Sequence, residues 1–473
     1  MKDSSTIFMR GNKLNNNVFS LNQELGSYLN GYFRLTINTD NDDFKNLNED
    51  EWCTYIHEYT HFLQNMTTTY GLFILSAVTR SAHLVTYNIA NSGSGDANKG
   101  KPYEKINFSD ELMEQQNQLE SMITCTLGEN GSSLNAQEIN TNTSFYVLKG
   151  FSESNFDEDV TPLIGSKKIN VVYEHSISKS SLEIEFGAVC IYECMAVLIE
   201  EHIGKKNNLL VPIVPYMTAK DLAAYLCGEP VSDMLVCIVC ELSLQSRCPG
   251  EDFVNLFKAI SSSCTEYDEN HAESEVSAFY IINNNYKLAR KIALLISEKY
   301  KYNMTEHDGL IVELNKETLK KKYLNIVKED FESFIGGGLR SGISDLVKYI
   351  LDGFNKDIDL IFISDFMNKS DVSVDKFNEL LTSRGTPLLF NNNGLVGHYL
   401  PEKCHDEHYL YLSILNDYYN SIRRQGHSCS HYSTCQKEKR AVNDNCLNNT
   451  IAKANEDPLC PLGFLIKTYG MNL

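Results

Sequence analysis

The chain has 473 residues, of which 42% are hydrophobic and 22% are charged, a balance that is typical of a globular protein of about two to four domains. Its formal net charge of −20 creates a field that repels nucleic acid and anionic membranes, so neither is expected as a partner. The N-terminal segment lacks an apolar signal-peptide core, and no uncharged run is long enough to span a membrane. We therefore expect a cytoplasmic protein.

The first predicted elements are a strand and two helices. Residues 31–38 alternate between polar and apolar side chains and are rich in β-formers, which predicts a strand. Asn48 or Asp50 then provides a cap for a helix over 51–68. A second apolar helix is predicted after Gly71 and extends to about residue 89.

The middle of the chain is dominated by helical patterns. Short strands are predicted within 140–180, followed by a long apolar helix over 181–203. Two further helices are predicted at 218–227 and 231–246, and the chain stays mostly helical to about residue 384. The expected fold class is α+β, mostly α-helical, with a minor N-terminal sheet.

The motif that carries chemistry lies in the first predicted helix. His57 and His61 are four residues apart, so both imidazoles project from one helix face and can bind one zinc ion. Glu58 follows the first histidine directly and can accept a proton from water at the open position of the metal. Together these residues form the motif HExxH, which by itself is a weak signal.

The flanking residues resemble the extended signature of zincin-type zinc metallopeptidases. Thr54 stands three residues before the first histidine, the two variable positions are uncharged, and the hydrophobic Leu63 stands two residues after the second. Gln64 and Thr67 replace the glycine and third histidine of metzincins, which excludes that subclass. The resemblance is to gluzincin-like enzymes, and it implies a motif helix packed against a second helix that bears a glutamate.

The best candidate for a third metal ligand is Glu193. No glutamate occurs between Glu58 and Glu104, so a short-spaced ligand is excluded. Glu193 is a lone carboxylate in the apolar segment 186–199, and its burial is costly unless a cation pairs with it. The sequence Glu193-Cys-Met-Ala196 also resembles the ExxA of gluzincin-like second helices. A buried Lys or Arg partner is the alternative role, and His83, Glu185 and Glu200 are the less favoured ligands.

A metal-bound histidine needs a hydrogen-bond acceptor on its other ring nitrogen. Glu200 and Glu201, about two turns beyond Glu193, are suitable acceptors. Glu241 interrupts another apolar helix and is either a third acceptor or a structural salt-bridge partner. The residue that stabilises an oxyanion is not identifiable from the sequence, which contains 26 Tyr.

The C-terminal segment carries a second potential metal site. Its polar surroundings offer little apolar area for a core, so a bound metal would stabilise it. A structural zinc is the first interpretation, and an iron–sulfur cluster is the second because the last cysteine precedes a proline. Unliganded thiols or disulfides are the remaining alternatives, and the expected intracellular location argues against disulfides. The four candidate ligands are Cys429, Cys435, Cys446 and Cys460.

These predictions divide the chain into three parts and suggest a function. Residues 1–180 form a lobe with the motif helix, residues 181–400 a helical lobe that supplies the third ligand, and residues 401–473 a Cys/His-rich module. We expect a zinc-dependent metallopeptidase that acts on selected protein or peptide substrates, with a regulatory protein partner also open. The alternatives are a non-catalytic, metal-stabilised interaction protein and a zinc hydrolase of non-peptide amides.

Overall fold

The computed structural model describes about half of the chain and has the α+β architecture that the sequence predicts, with helices alongside two small sheets. Predicted elements at 71–89 and over most of 270–384 lie outside the described residues. None of the described helices combines the length and hydropathy of a membrane span. The described residues are 26–29, 34–68, 146–156, 166–204, 211–266 except 247, 363–368, 387–397 and 428–468 except 430 and 438, with isolated positions between 70 and 128.

The first sheet joins segments that lie far apart in the chain. Strand β2 (Arg34–Ile37) lies within the strand predicted over 31–38, and it pairs antiparallel with β1 (Gly26–Leu29), which the sequence analysis did not predict. Strand β2 then pairs in parallel with β6 (Leu388–Asn391), which forms a hairpin with β7 (Gly394–Gly397). The order is β1-β2-β6-β7, so segments about 350 residues apart share one sheet.

Helix α1 (Glu49–Thr67) carries the HExxH motif and begins where the sequence indicated. The Asn48 side chain accepts hydrogen bonds from the backbone N–H groups of Asp50 and Glu51, and the Glu51 carboxylate accepts from the Asn48 N–H. This reciprocal capping box fixes the start of the helix. Its buried residues include Tyr55, Tyr59 and Phe62, whose rings contact one another along the core side.

A second sheet leads into helix α2 (Ala188–Gly204), which supplies the glutamates of the site. It is a meander of β3 (Tyr146–Asn155), β4 (Lys167–His175) and β5 (Ser181–Phe186). The prediction of a helix over the whole of 181–203 is wrong for its first six residues. Ser181–Phe186 alternates between exposed and buried side chains, and this period-two pattern was obscured by the apolar run that follows.

Three more helices complete the packing around α2. Helices α3 (Thr218–Cys227) and α4 (Asp233–Ser243) match their predicted positions, and α5 (Pro249–Glu266) follows them. The core is continuous from the β1–β2 hairpin through α1 and α2 to β6. Described residues of the first two predicted lobes therefore share one core, while the division of the chain into domains stays a prediction.

The C-terminal part consists of short helices. They are α6 (Tyr432–Lys437), α7 (Asn445–Asn448), α8 (Thr450–Ala454) and α9 (Pro461–Thr468). His431, at the start of this region, stacks edge-on against Phe390 of β6 with ring centroids 5.6 Å apart. The region thus contacts the same sheet that contains β1 and β2.

Candidate metal centre

The two histidines of the motif lie side by side on α1, as their spacing predicts. The ring centroids of His57 and His61 are 4.8 Å apart, and their Nε2 atoms are 3.1 Å apart. Helix α2 crosses this face of α1, and the crossing is close because Gly204 lies against Cys53: a Cβ added at Gly204 would lie 2.6 Å from the Cys53 Sγ. The helix pair therefore places side chains of α2 directly over both imidazoles.

Glu193 of α2 completes a three-residue group with the histidines. Its Oε2 lies 3.1 Å from His57 Nε2 and 3.3 Å from His61 Nε2. Within the part of the chain that the structure describes, this is the one set of three or more ligand atoms that all lie within 4.8 Å of one another. The group can hold a metal ion.

The outer nitrogens of both imidazoles have hydrogen-bond partners of their own. His57 Nδ1 lies 3.1 Å from Glu200 Oε2, and His61 Nδ1 lies 2.8 Å from Gln64 Oε1. The Gln64 amide nitrogen donates to the carbonyl of Tyr192, which leaves its oxygen free to accept from His61. Both outer Nδ1 atoms thereby have an acceptor for their proton, so each Nε2 can give up its own proton and bind a metal.

The two imidazoles and the Glu193 carboxylate shift one another's pKa values so that the charged form of each is stabilised. Burial lowers the pKa of His57, but hydrogen bonds to Glu193 and Glu200 outweigh it, so the pKa of His57 lies well above its ordinary value. The pKa of His61 is also raised, because the charge of Glu193 and the other raising contacts outweigh the lowering effect of burial. Burial raises the pKa of Glu193, and the two imidazoles more than reverse this and hold it far below the usual carboxyl range. The site therefore concentrates negative charge where a cation would bind.

Glu58 is buried beside these ligands and is a separate carboxylate. Its exposed fraction is 9%, and burial, partly offset by His57 and His61, raises the pKa of Glu58 to about 7. Strand β1 runs close past it, because a Cβ added at Gly26 would lie 3.0 Å from Glu58 Cγ and 2.6 Å from Thr54 Cγ2. The absence of a side chain at Gly26 is what lets the strand approach the motif helix.

Tyr216 is the residue that sequence reasoning did not find. It lies in a short π-helical segment (Ile213–Met217) before α3, and its ring centroid is 6.0 Å from that of His57. Burial and the charges of Glu193, Glu58 and Glu200 raise the pKa of Tyr216 well above its ordinary value, so its hydroxyl stays protonated. No spacing relates position 216 to the motif, and among 26 Tyr nothing distinguishes it.

The other candidate ligands have different surroundings. Glu185 pairs with Lys168 across the β4–β5 ladder at 2.5 Å. Glu241 accepts hydrogen bonds from the backbone N–H groups of Ile363 and Ser364 at 2.6 and 3.2 Å, so it acts on the segment 363–368 and not on the histidines. His83 lies outside the described residues. The four predicted cysteines of the C-terminal region line one pocket, which is considered below.

Two imidazole nitrogens and one carboxylate oxygen form the donor set that zinc accepts in three-ligand sites. Comparison with known proteins adds no second line of support: no family model, no curated protein and no solved structure matches this chain.

Removal of the Glu200 carboxylate tests the geometry around His57. We expect Glu200→Ala to weaken zinc affinity by about 10- to 100-fold, because the His57 ring loses the acceptor that orients it and raises its basicity. Competition with a chromophoric chelator measures the affinity. Glu185→Ala, which removes a carboxylate paired with Lys168 on the neighbouring sheet, is the matched control and is expected to leave the affinity unchanged. Equal losses in both variants would contradict this role.

Zinc affinity is also expected to fall as the pH falls. Zinc must displace the protons that His57 and His61 share with Glu193, and the raised histidine pKa values mean that these protons bind at a higher pH than usual. The loss should therefore begin above the ordinary histidine value of about 6.5. Calorimetry in buffers of different ionisation enthalpy measures both the affinity and the protons released. A flat affinity between about pH 8 and about pH 6 would contradict the assignment of these ligands.

Proposed function

We propose that this chain is a zinc-dependent metallopeptidase that cleaves selected protein substrates. The observation that carries the proposal is a ligand group of three side chains, not four, with the buried Glu58 beside it. Structural zinc sites are closed by four protein ligands, whereas catalytic sites have three and keep one position open. In the described part of the chain no fourth ligand atom joins the group.

The residues around the group have distinct parts in peptide hydrolysis. Zinc in such a site acts as a Lewis acid on the carbonyl and makes water a nucleophile near neutral pH. Glu58 accepts the proton of the attacking water as the new C–O bond forms. It then delivers that proton to the amine as the C–N bond breaks, so one carboxylate acts as base and then as acid. Glu200 and Gln64 keep the two imidazoles oriented throughout.

Tyr216 is suited to stabilise the oxyanion of the tetrahedral intermediate. Its position next to His57 brings a phenol to the edge of the ligand group, and a phenol that remains protonated is a hydrogen-bond donor. Tyr216 approaches the site from the segment before α3, whereas the ligands lie on α1 and α2. A substrate carbonyl that lies over the group would thus have a donor on the side of Tyr216.

A peptide substrate is supported by the neighbouring sheet. Strand β1 is at the edge of the described sheet and passes beside Glu58. An extended peptide can add to such an edge through backbone hydrogen bonds, and its register then sets which bond reaches the site. This placement favours a peptide over a small non-peptide amide as the substrate.

The direct test is cleavage of a proteome-derived peptide library, with new N-termini identified by mass spectrometry. We expect the zinc-loaded protein to generate new termini at a common sequence preference. Glu58→Gln should bind zinc and lose at least about 100-fold of the rate, because the proton-transfer group is gone while the ligands remain. His57→Ala should lose both zinc and activity.

Three outcomes would overturn the proposal. Cleavage that persists in Glu58→Gln would remove Glu58 from the chemistry. Tight zinc binding without any cleavage of the library or of intact proteins, and with no change in cellular function on Glu58→Gln, would favour a metal-stabilised interaction protein instead. Hydrolysis restricted to acylated amines or other non-peptide amides would favour a zinc hydrolase of non-peptide amides.

Tyr216→Phe should lower kcat by about 10- to 1000-fold and leave KM and zinc content nearly unchanged, since its hydroxyl is needed only in the transition state. Tyr192→Phe is the matched control. Its ring also lies near the site, 6.5 Å from that of His61, but its hydroxyl hydrogen-bonds to Thr68. Steady-state kinetics on a peptide from the library measures kcat and KM separately. A loss confined to KM would assign Tyr216 to substrate binding.

A further inference from the structure

The C-terminal helices surround a pocket of about 490 Å³ that is lined by four cysteines from four separate points of the chain. Cys446 lies in α7, and its carbonyl accepts a hydrogen bond from the Cys429 N–H at 2.8 Å, which joins the start of this region to its middle. None of the four is in a disulfide. The four are Cys429, Cys435, Cys446 and Cys460.

The separation of the thiols distinguishes between the metals that such a pocket can hold. Around a single tetrahedral zinc, sulfurs at about 2.3 Å from the metal lie about 3.8 Å from one another. These described cysteines do not form a group whose sulfurs are close enough to share one ion, although all four line the same pocket. A four-iron cube places iron and sulfide between its cysteines, and therefore holds them further apart than one ion does.

We propose that this pocket binds a [4Fe–4S] cluster through Cys429, Cys435, Cys446 and Cys460. The proposal assigns a second, non-zinc cofactor to the chain and is independent of the function of the HExxH group. It selects the cluster, the second interpretation of the sequence, over the single structural zinc that was the first.

The charge distribution in the pocket suits a cluster with four thiolate ligands, which carries net negative charge. The Lys453 side chain lines the pocket and is only 5% exposed, a rare environment for an ammonium group. Its Nζ lies 2.8 Å from the Glu456 Oε2, and the charges of Cys446 and Cys460 add to this pairing in raising the pKa of Lys453. The cation stays protonated and offsets the charge of the thiolates.

Local backbone geometry suits a thiolate ligand at Cys460, and folding energetics favour a bound metal centre in this pocket. The Gly463 N–H lies 3.4 Å from the Cys460 Sγ, and hydrogen bonds of this kind stabilise cluster ligands. The surrounding helices are four to eight residues long, and few large apolar side chains are buried among those that the structure describes there. Such a region gains much of its stability from a bound metal centre.

Anaerobic reconstitution of the full chain with equal amounts of ferrous and ferric iron and with sulfide tests the proposal, and iron, zinc and acid-labile sulfide are measured in the same sample. We expect about four iron and four sulfide per chain and a broad absorbance that dithionite bleaches. Cys435→Ser and Cys446→Ser should each lose most of the iron. Cys227→Ser, at the end of α3, is the matched control and should retain it.

The two metal sites are separable by one further variant. His57→Ala should lose zinc and keep the iron and sulfide, whatever the fate of the proposed peptidase activity. One zinc per chain that survives His57→Ala, with no sulfide, would overturn the cluster in favour of a structural zinc. Iron without matching sulfide, or no metal retained by the unmutated protein, would also overturn it, and neither result depends on whether a cysteine variant folds.

Discussion

The contact on which the centre depends is the pairing of Glu193 with His57 and His61 across two helices. A carboxylate in the apolar helix α2 costs several kcal/mol to bury without a partner, and α1 supplies two imidazoles within 3.3 Å. The same contact fixes how the helices cross. Once it is made, Glu200 reaches the outer nitrogen of His57, and Glu58 is enclosed beside the group.

The parts of this site that are local in sequence were predictable, and the non-local parts were not. The HExxH spacing placed both imidazoles on one face, and the isolation of Glu193 among apolar residues identified it as a partner for a cation. Tyr216 reaches the site through tertiary packing alone, so no periodicity indicates it. The same holds for β6, whose parallel pairing with β2 spans about 350 residues. The strand Ser181–Phe186 was missed because the neighbouring helix is so apolar that its pattern dominated the whole segment.

The two proposed metal sites, the HExxH group and the C-terminal pocket, differ in how the chain would hold the metal. The first centre is made by two long helices that are already packed in the main core, so its ligands are preorganised. The second lies among short helices whose described side chains form little core, and a cofactor bound there would contribute directly to folding. His431 lines this pocket and contacts Phe390 of β6, so loss of the cofactor would act on the sheet that also carries β1.

The central claim is that His57, His61 and Glu193 bind one metal ion, and anomalous diffraction from crystals of the zinc-loaded protein tests it most directly. The account predicts a zinc peak within about 2.2 Å of both histidine Nε2 atoms and of a Glu193 carboxylate oxygen, lost in His57→Ala. Zinc that is bound elsewhere in the chain while this group stays empty would contradict it.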